Sequence, residues 1–263
     1  MPDSRYPLAH EAQIASWPHT SLRNGTEVNL DQKLAAIVDK AWETVSVKDY
    51  GAVGDGITDD TYAIQNAIDD LLYTDSGFLN RTHGRRLYFP AGVYVITSAL
   101  EIKPVGSSTY PSPNAGMAIE GDGFERAIIW QQTSGANALE VSSNNYLGTI
   151  RFIQFYAGTA AGGRFGLDSG AAIKMSPSGN QINVEHCWIS NWDYALKLES
   201  AGELTIHDNV FEYCYKAIKC SGTGNGHLII TDNEFYSMGP VALGGAEFDP
   251  TFKFNDSVDI NLS

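Results

Sequence analysis

Positively charged side chains are scarce in this chain. Lysine and arginine total 17 against 31 aspartates and glutamates, a net charge of −14. Beyond Arg164 there is no arginine. Nucleic acids are bound by clustered lysine and arginine, so this balance argues against such a partner. More weakly, it argues against polyanionic substrates such as polygalacturonate, although a local basic patch is compatible with an acidic protein. Cysteine is also sparse. Cys187, Cys214 and Cys220 are an odd number without metal-ligand spacing. They read as free thiols in or near a core, made in a reducing compartment, not as a disulfide scaffold. No apolar run is long enough to span a bilayer, and no basic-then-apolar leader opens the sequence. Neither membrane insertion nor a cleaved signal peptide is therefore expected. There is no Gly-Lys-Ser/Thr loop and no EF-hand carboxylate set, so no metal and no cofactor are expected.

What is present starts with the stretch from Val45 to Ile102. A short strand, Val45 to Val47, runs into a turn with Gly51, Gly54 and Gly56 around Asp55. Glycine takes positive φ without a Cβ penalty, so the backbone can fold tightly there. Thr58 or Asp59 is a candidate N-cap, and Asp59 and Asp60 favour the positive end of a helix dipole. Ala63, Ile64, Ala67, Ile68 and Leu71 then share one helical face. Leu87 to Phe89 and Val93 to Ile96 read as a strand pair, with Pro90-Ala-Gly92 as its turn.

Upstream, 1–29 reads as a polar arm, with Ser16-Trp17-Pro18-His19 and Asn24-Gly25 as loop and turn. Such an arm is disordered or ordered against a neighbour. Asn29 caps a predicted helix from Leu30 to about Trp42. Its 4-3-4 apolar spacing suits either packing on the main domain or a short coiled coil. Two domains are expected, residues 1–44 for anchoring or oligomer contact and 45–263 as the body.

The second half repeats itself. Ile182-Asn-Val-Glu-His-Cys-Trp-Ile189, Leu204-Thr-Ile-His-Asp-Asn-Val-Phe211 and Leu228-Ile-Ile-Thr-Asp-Asn-Glu-Phe235 align with offsets of 22 and 24 residues. A second register advances with them through Ala172-Ile-Lys-Met175, Ala195-Leu-Lys-Leu198, Ala217-Ile-Lys-Cys220 and Ala242-Leu-Gly-Gly245, with Ala138-Leu-Glu-Val141 as an earlier copy. Such a period marks a solenoid. Stacking the copies puts Ile182/Leu204/Leu228, Val184/Ile206/Ile230 and Ile189/Phe211/Phe235 inside, as strand alternation requires. Cys187/Asn209/Asn233 falls at a bend and reads as an asparagine ladder. Gly116 to Gly123 reads as the entry to the first full coil, with five or six coils in all. After Ala246 the repeat is lost, and Phe248 to Ile260 suggests closing strands.

The first stretch resembles the N-terminal part of the pectate-lyase superfamily. Asp49-Tyr-Gly-Ala52, Gly54-Asp-Gly56, Thr58-Asp-Asp-Thr61, Ala63-Ile-Gln65 and Phe89-Pro-Ala-Gly-Val-Tyr94 carry the likeness. It implies an all-β, right-handed parallel β-helix whose first coil is covered by the helix near Asp59 to Leu72. Departures from the family are also informative. Thr231-Asp232-Asn233 reverses the polygalacturonase Asn-Thr-Asp, Gly226-His227-Leu228 lacks the second glycine of Gly-His-Gly, and Arg-Ile-Lys is missing. A pectate lyase's calcium-binding acids and its arginine base on a coil are not apparent either.

Glycoside hydrolysis needs two carboxyl groups at a set separation. Asp208 and Asp232 stack in the alignment, with His186 before them, and form the sharpest acid pair. They are the candidate catalytic residues, although they also flank the ladder asparagines and serve equally to brace the bend. Glu185 shares a column with His207 as a candidate hydrogen-bonded pair. For recognition, Lys174, Lys197 and Lys219 form one column beside Tyr194, Tyr215, Asp193 and Glu199, with Trp188, Trp192 and Tyr213 on the turn side. Aromatic faces and charged side chains bind sugars, so Trp188, Trp192, Asp193, Tyr194, Lys197, Tyr213, Tyr215 and Lys219 are the candidate carbohydrate-binding residues. Burial is the alternative for Trp192, and a solvated face is the alternative for the lysines.

A β-helix motif behind a short arm and helix resembles the tail-spike and head-spike proteins of phages and phage-like particles. The resemblance implies a homo-oligomer, with a trimer favoured, on the surface of a particle assembled in the producing cell's cytoplasm. It implies attachment to a carrier particle through residues 1–44 and binding of cell-surface polysaccharide. The expected function is non-catalytic attachment. The alternative is a polysaccharide depolymerase on the same fold.

Overall fold

A computed structural model describes residues 20–23, 26–29, 44–72, 86–102, 117–141, 147–162, 170–176, 182–199, 203–221, 227–236 and 258–260. The chain divides into two compact units, Met1–Glu43 and Thr44–Ser263. In the first, β1 (Thr20–Arg23) pairs antiparallel with β2 (Thr26–Asn29). The two strands stand on either side of Asn24-Gly25, where a turn was expected, and add a hairpin that the reading of a polar arm did not include; Ser16 to His19 lies outside the described residues. Threonines and Val28 flank Asn24-Gly25, and an Asn-Gly pair between β-formers is a strong hairpin signal. The helix predicted from Leu30 to Trp42 lies outside the described residues.

The second unit climbs in coils. Its opening coil holds β3 (Thr44–Ser46) and β4 (Asp55–Asp59), joined through a 3-10 turn at Val47–Tyr50, and then helix α1 (Thr61–Leu72). Each later coil brings three strands. The first of these is β5 (Arg86–Phe89), β6 (Gly92–Ile96) and β7 (Leu100–Ile102). Next come β8 (Met117–Gly121), β9 (Ala127–Gln131) and β10 (Leu139–Val141), and then β11 (Leu147–Arg151), β12 (Gln154–Ala157) and β13 (Ala171–Met175). The repeat region supplies β14 (Ile182–Glu185), β15 (Trp188–Ser190) and β16 (Tyr194–Glu199), followed by β17 (Leu204–His207), β18 (Val210–Glu212) and β19 (Lys216–Ser221). The final coil is β20 (Leu228–Thr231), β21 (Glu234–Tyr236) and β22 (Val258–Ile260).

Successive coils stack into three parallel sheets. Sheet I runs β3-β5-β8-β11-β14-β17-β20, sheet II runs β4-β6-β9-β12-β15-β18-β21, and sheet III runs β7-β10-β13-β16-β19-β22. This is a parallel β-helix. Two expectations are corrected. Leu87–Phe89 and Val93–Ile96 do not pair with each other, because the corner at Pro90-Ala-Gly92 sends β5 into sheet I and β6 into sheet II. The first full coil is β5–β7, one turn earlier than Gly116–Gly123. The closing strand is β22, which pairs with β19 in register.

Inward columns build the core. Val45, Leu87, Ile119, Ile150, Val184 and Ile206 stack from sheet I, all buried. Tyr94, Ile129, Phe155, Ile189 and Phe211 stack from sheet II, and Phe211 lies against Phe235 with ring centroids 5.2 Å apart. One coil cannot bury its own apolar face, so stability accumulates along the axis.

Helix α1 covers the open end of the first coil, where strand edges and apolar core would otherwise meet water. Ile64, Ala67, Ile68 and Leu71 are fully buried against it. The helix starts at Thr61, slightly later than predicted, and Asp59 caps it by accepting the Thr61 amide at 3.0 Å. Asp60 turns back instead. Its carboxylate accepts the Val53 and Gly54 amides at 2.6 and 3.0 Å, and burial raises its pKa. Gly54 has φ +68°, and an added Cβ would stand 2.9 Å from the Tyr94 ring.

The bend from sheet I to sheet II is held by the expected ladder. Asn209 is 1% exposed. Its side-chain NH2 donates to the Val184 carbonyl at 2.8 Å, and its Oδ1 accepts the Cys187 amide at 3.0 Å. Asn233 repeats the pattern one coil later, donating to Ile206 O and accepting the Asn209 amide. Before each asparagine the chain takes a left-handed residue, Asp208 at φ 54° and Asp232 at φ 56°.

Candidate functional site on the outward faces

Strand alternation turns every second side chain outward, so each sheet presents columns at the inter-strand spacing of about 4.8 Å. The three sheets present different chemistry.

Sheet I carries alternating charge. Tyr88, Glu120, Arg151, Glu185 and His207 lie in register on β5, β8, β11, β14 and β17. Glu120 accepts Arg86 at 3.3 Å and Arg151 at 3.1 Å, and Arg151 also reaches Glu185 at 3.5 Å. His207 completes the run. Its Nε2 lies 2.9 Å from Glu185 Oε2 and its Nδ1 lies 2.8 Å from Asp208 Oδ2. The bond to Asp208, with the two negative charges, raises the His207 pKa above its ordinary value, against a smaller opposing effect of burial. The expected Glu185–His207 pair is therefore present, and Asp208 joins it. Asp208 bonds its sequence neighbour His207, and both aspartates are exposed at the bend.

Sheet II turns out an aromatic and aliphatic face. Ile128, Gln154, Trp188 and Val210 form one column, and Trp130, Tyr156, Ser190 and Glu212 form the next. Trp188 is half-buried, donates Nε1 to Glu212 Oε2 at 3.2 Å and packs edge-on to Phe124 with centroids 6.2 Å apart. Trp130 and Tyr156 meet edge-to-face at 5.9 Å. The sequence reading missed these two. The alternation in Ala127-Ile-Ile-Trp130 was the available signal, since Ala127 and Ile129 point inward.

Sheet III stacks three lysines between acidic residues. Its column runs Glu101, Glu140, Lys174, Lys197, Lys219 and Asp259. Lys197 pairs with Glu199 at 3.1 Å, and Lys174 approaches the same carboxylate at 3.9 Å. The Lys197 and Lys219 ammonium groups sit 6.0 and 5.3 Å from the Tyr194 ring centroid. The expected lysine column is thus formed, with Tyr194 and Glu199 beside it.

The candidate recognition residues do not form one cluster. Tyr194, Lys197 and Lys219 share sheet III, and Trp188 belongs to sheet II. Asp193, Tyr213 and Tyr215 lie at the bend between those sheets, Tyr213 at φ 52°. Trp192 is corrected: it is 1% exposed and donates Nε1 to the Phe155 carbonyl at 3.1 Å, so it offers no face to a ligand. Among the described residues, no group of three or more His, Cys, Asp or Glu is placed to hold a metal ion.

Residues 44–169 match the family model described as "Rhamnogalacturonase A/epimerase, pectate lyase-like". That stretch, just under half of the chain, is similar to a pectate-lyase-like family. A stretch of 69 residues is 44% identical to plasmin and fibronectin-binding protein A of Streptococcus pneumoniae, covering 26% of this chain and 9% of that protein. Over 114 residues the chain is 27% identical to the tail spike protein of Shigella phage Sf6, covering 40% of this chain and 18% of that protein. The chain therefore spans less than a fifth of the length of either relative. Among solved structures, ORF18 of Geobacillus virus E2 aligns with TM-score 0.46 and 19% identity, over 83% of this chain and 48% of that one. A pectate-lyase-like scaffold fixes where the outward columns run. Their use depends on the side chains they carry.

Proposed function

We propose that this protein is a spike component of a phage or phage-like particle that binds cell-surface polysaccharide without cleaving it. The observation that carries the reading is how the outward side chains are engaged. The acids on sheet I are tied to cations, Glu120 to Arg86 and Arg151, Glu185 to Arg151 and His207, and Asp208 to His207. A catalytic carboxyl group must be able to reach its substrate, and these carboxylates already contact side chains of their own sheet. Trp188, Tyr194, Lys197 and Lys219, by contrast, are half-exposed, and aromatic rings beside charged groups suit sugar binding. The sequence likeness to a phage tail spike protein supports the same setting. In this reading residues 1–44 attach the protein to its particle, and copies of the chain assemble side by side, as a trimer.

The test is adsorption. Full-length protein is offered polysaccharide extracted from panels of bacteria, and bound protein is measured for wild type, Trp188→Ala and Tyr194→Ala. Wild type should bind at least one extract, and each variant should bind it more weakly while melting at the parent temperature. Binding to no extract, or equal binding by both variants, contradicts the proposal.

A further inference from the structure

We draw no further inference here: the strongest candidate, the apolar surface patch around β4 and the first turn of α1 where Val53, Ile57 and Tyr62 are exposed, carries none because nothing in the structure shows what covers it.

Discussion

His207 Nε2 lies 2.9 Å from Glu185 Oε2, across the gap between two neighbouring strands of sheet I. With Asp208 on the other ring nitrogen, both nitrogens of the imidazole face carboxylates. Only the doubly protonated ring can donate to both, so this link between coils depends on pH. The folded pKa of His207 is raised. Its stabilisation is therefore fully present below the unfolded value of about 6.5 and is lost as pH rises through the raised folded value. Melting temperatures of wild type and His207→Gln should differ most between about pH 5 and 6 and converge at alkaline pH, with an effect of about 1 kcal/mol or less after solvent screening. A difference that grows with rising pH would contradict this role.

Asn209 is the most heavily bonded side chain at the bend. Replacing it by alanine leaves the Cys187 amide and the Val184 carbonyl without their partners in a dry environment. Unpaired buried polar groups cost about 1–3 kcal/mol each. Asn209→Ala should lower urea stability by about 2–4 kcal/mol, while Asn183→Ala on the exposed face of β14 should change it little. Equal effects would show that the ladder does not brace the coils.

All three cysteines are buried and free. Burial pushes the Cys187 and Cys214 thiols up to about 12. The thiolate is the reactive form, so native protein should leave these two unlabelled by a thiol reagent at neutral pH, and all three should react in denaturant. Fast labelling of Cys187 or Cys214 in the folded state would place the sheet I–II bend or the sheet II–III bend in water.

The sequence was most legible where coils are regular. From Ile182 onward the offsets are 22 and 24 residues. The asparagine ladder, the Phe211/Phe235 stack and the lysine column could therefore be aligned by eye. Earlier coils carry longer insertions. Glu120 and Arg151 are 31 residues apart and Arg151 and Glu185 are 34 apart, yet they are strand neighbours. Insertions of unequal length hide register, so the alternating charge of sheet I was visible only at its Glu185–His207 end. Trp192 illustrates a different limit. Strand alternation does not extend through a bend, and the bend between β15 and β16 turns this ring into the core. The β5–β6 corner was misread because a proline-glycine turn between two β-rich runs looks the same whether the strands pair or pass into different sheets.

Removing the first unit tests how the protein is attached. A chain beginning at Thr44 should keep the coil stack, since that unit is compact by itself. It should bind polysaccharide as the full chain does but fail to enter particles. Incorporation at the parent level would place the attachment elsewhere.

The proposal that the protein binds without cutting is tested most directly by sugar release. Polysaccharide from a bacterium that adsorbs the protein is incubated with wild type, Asp208→Asn and Asp232→Asn. New reducing ends and unsaturated sugars are then measured alongside bound protein. The expected result is adsorption by all three proteins with no release by any of them. Release by the wild type that is lost in either variant would contradict the proposal and make this β-helix a depolymerase.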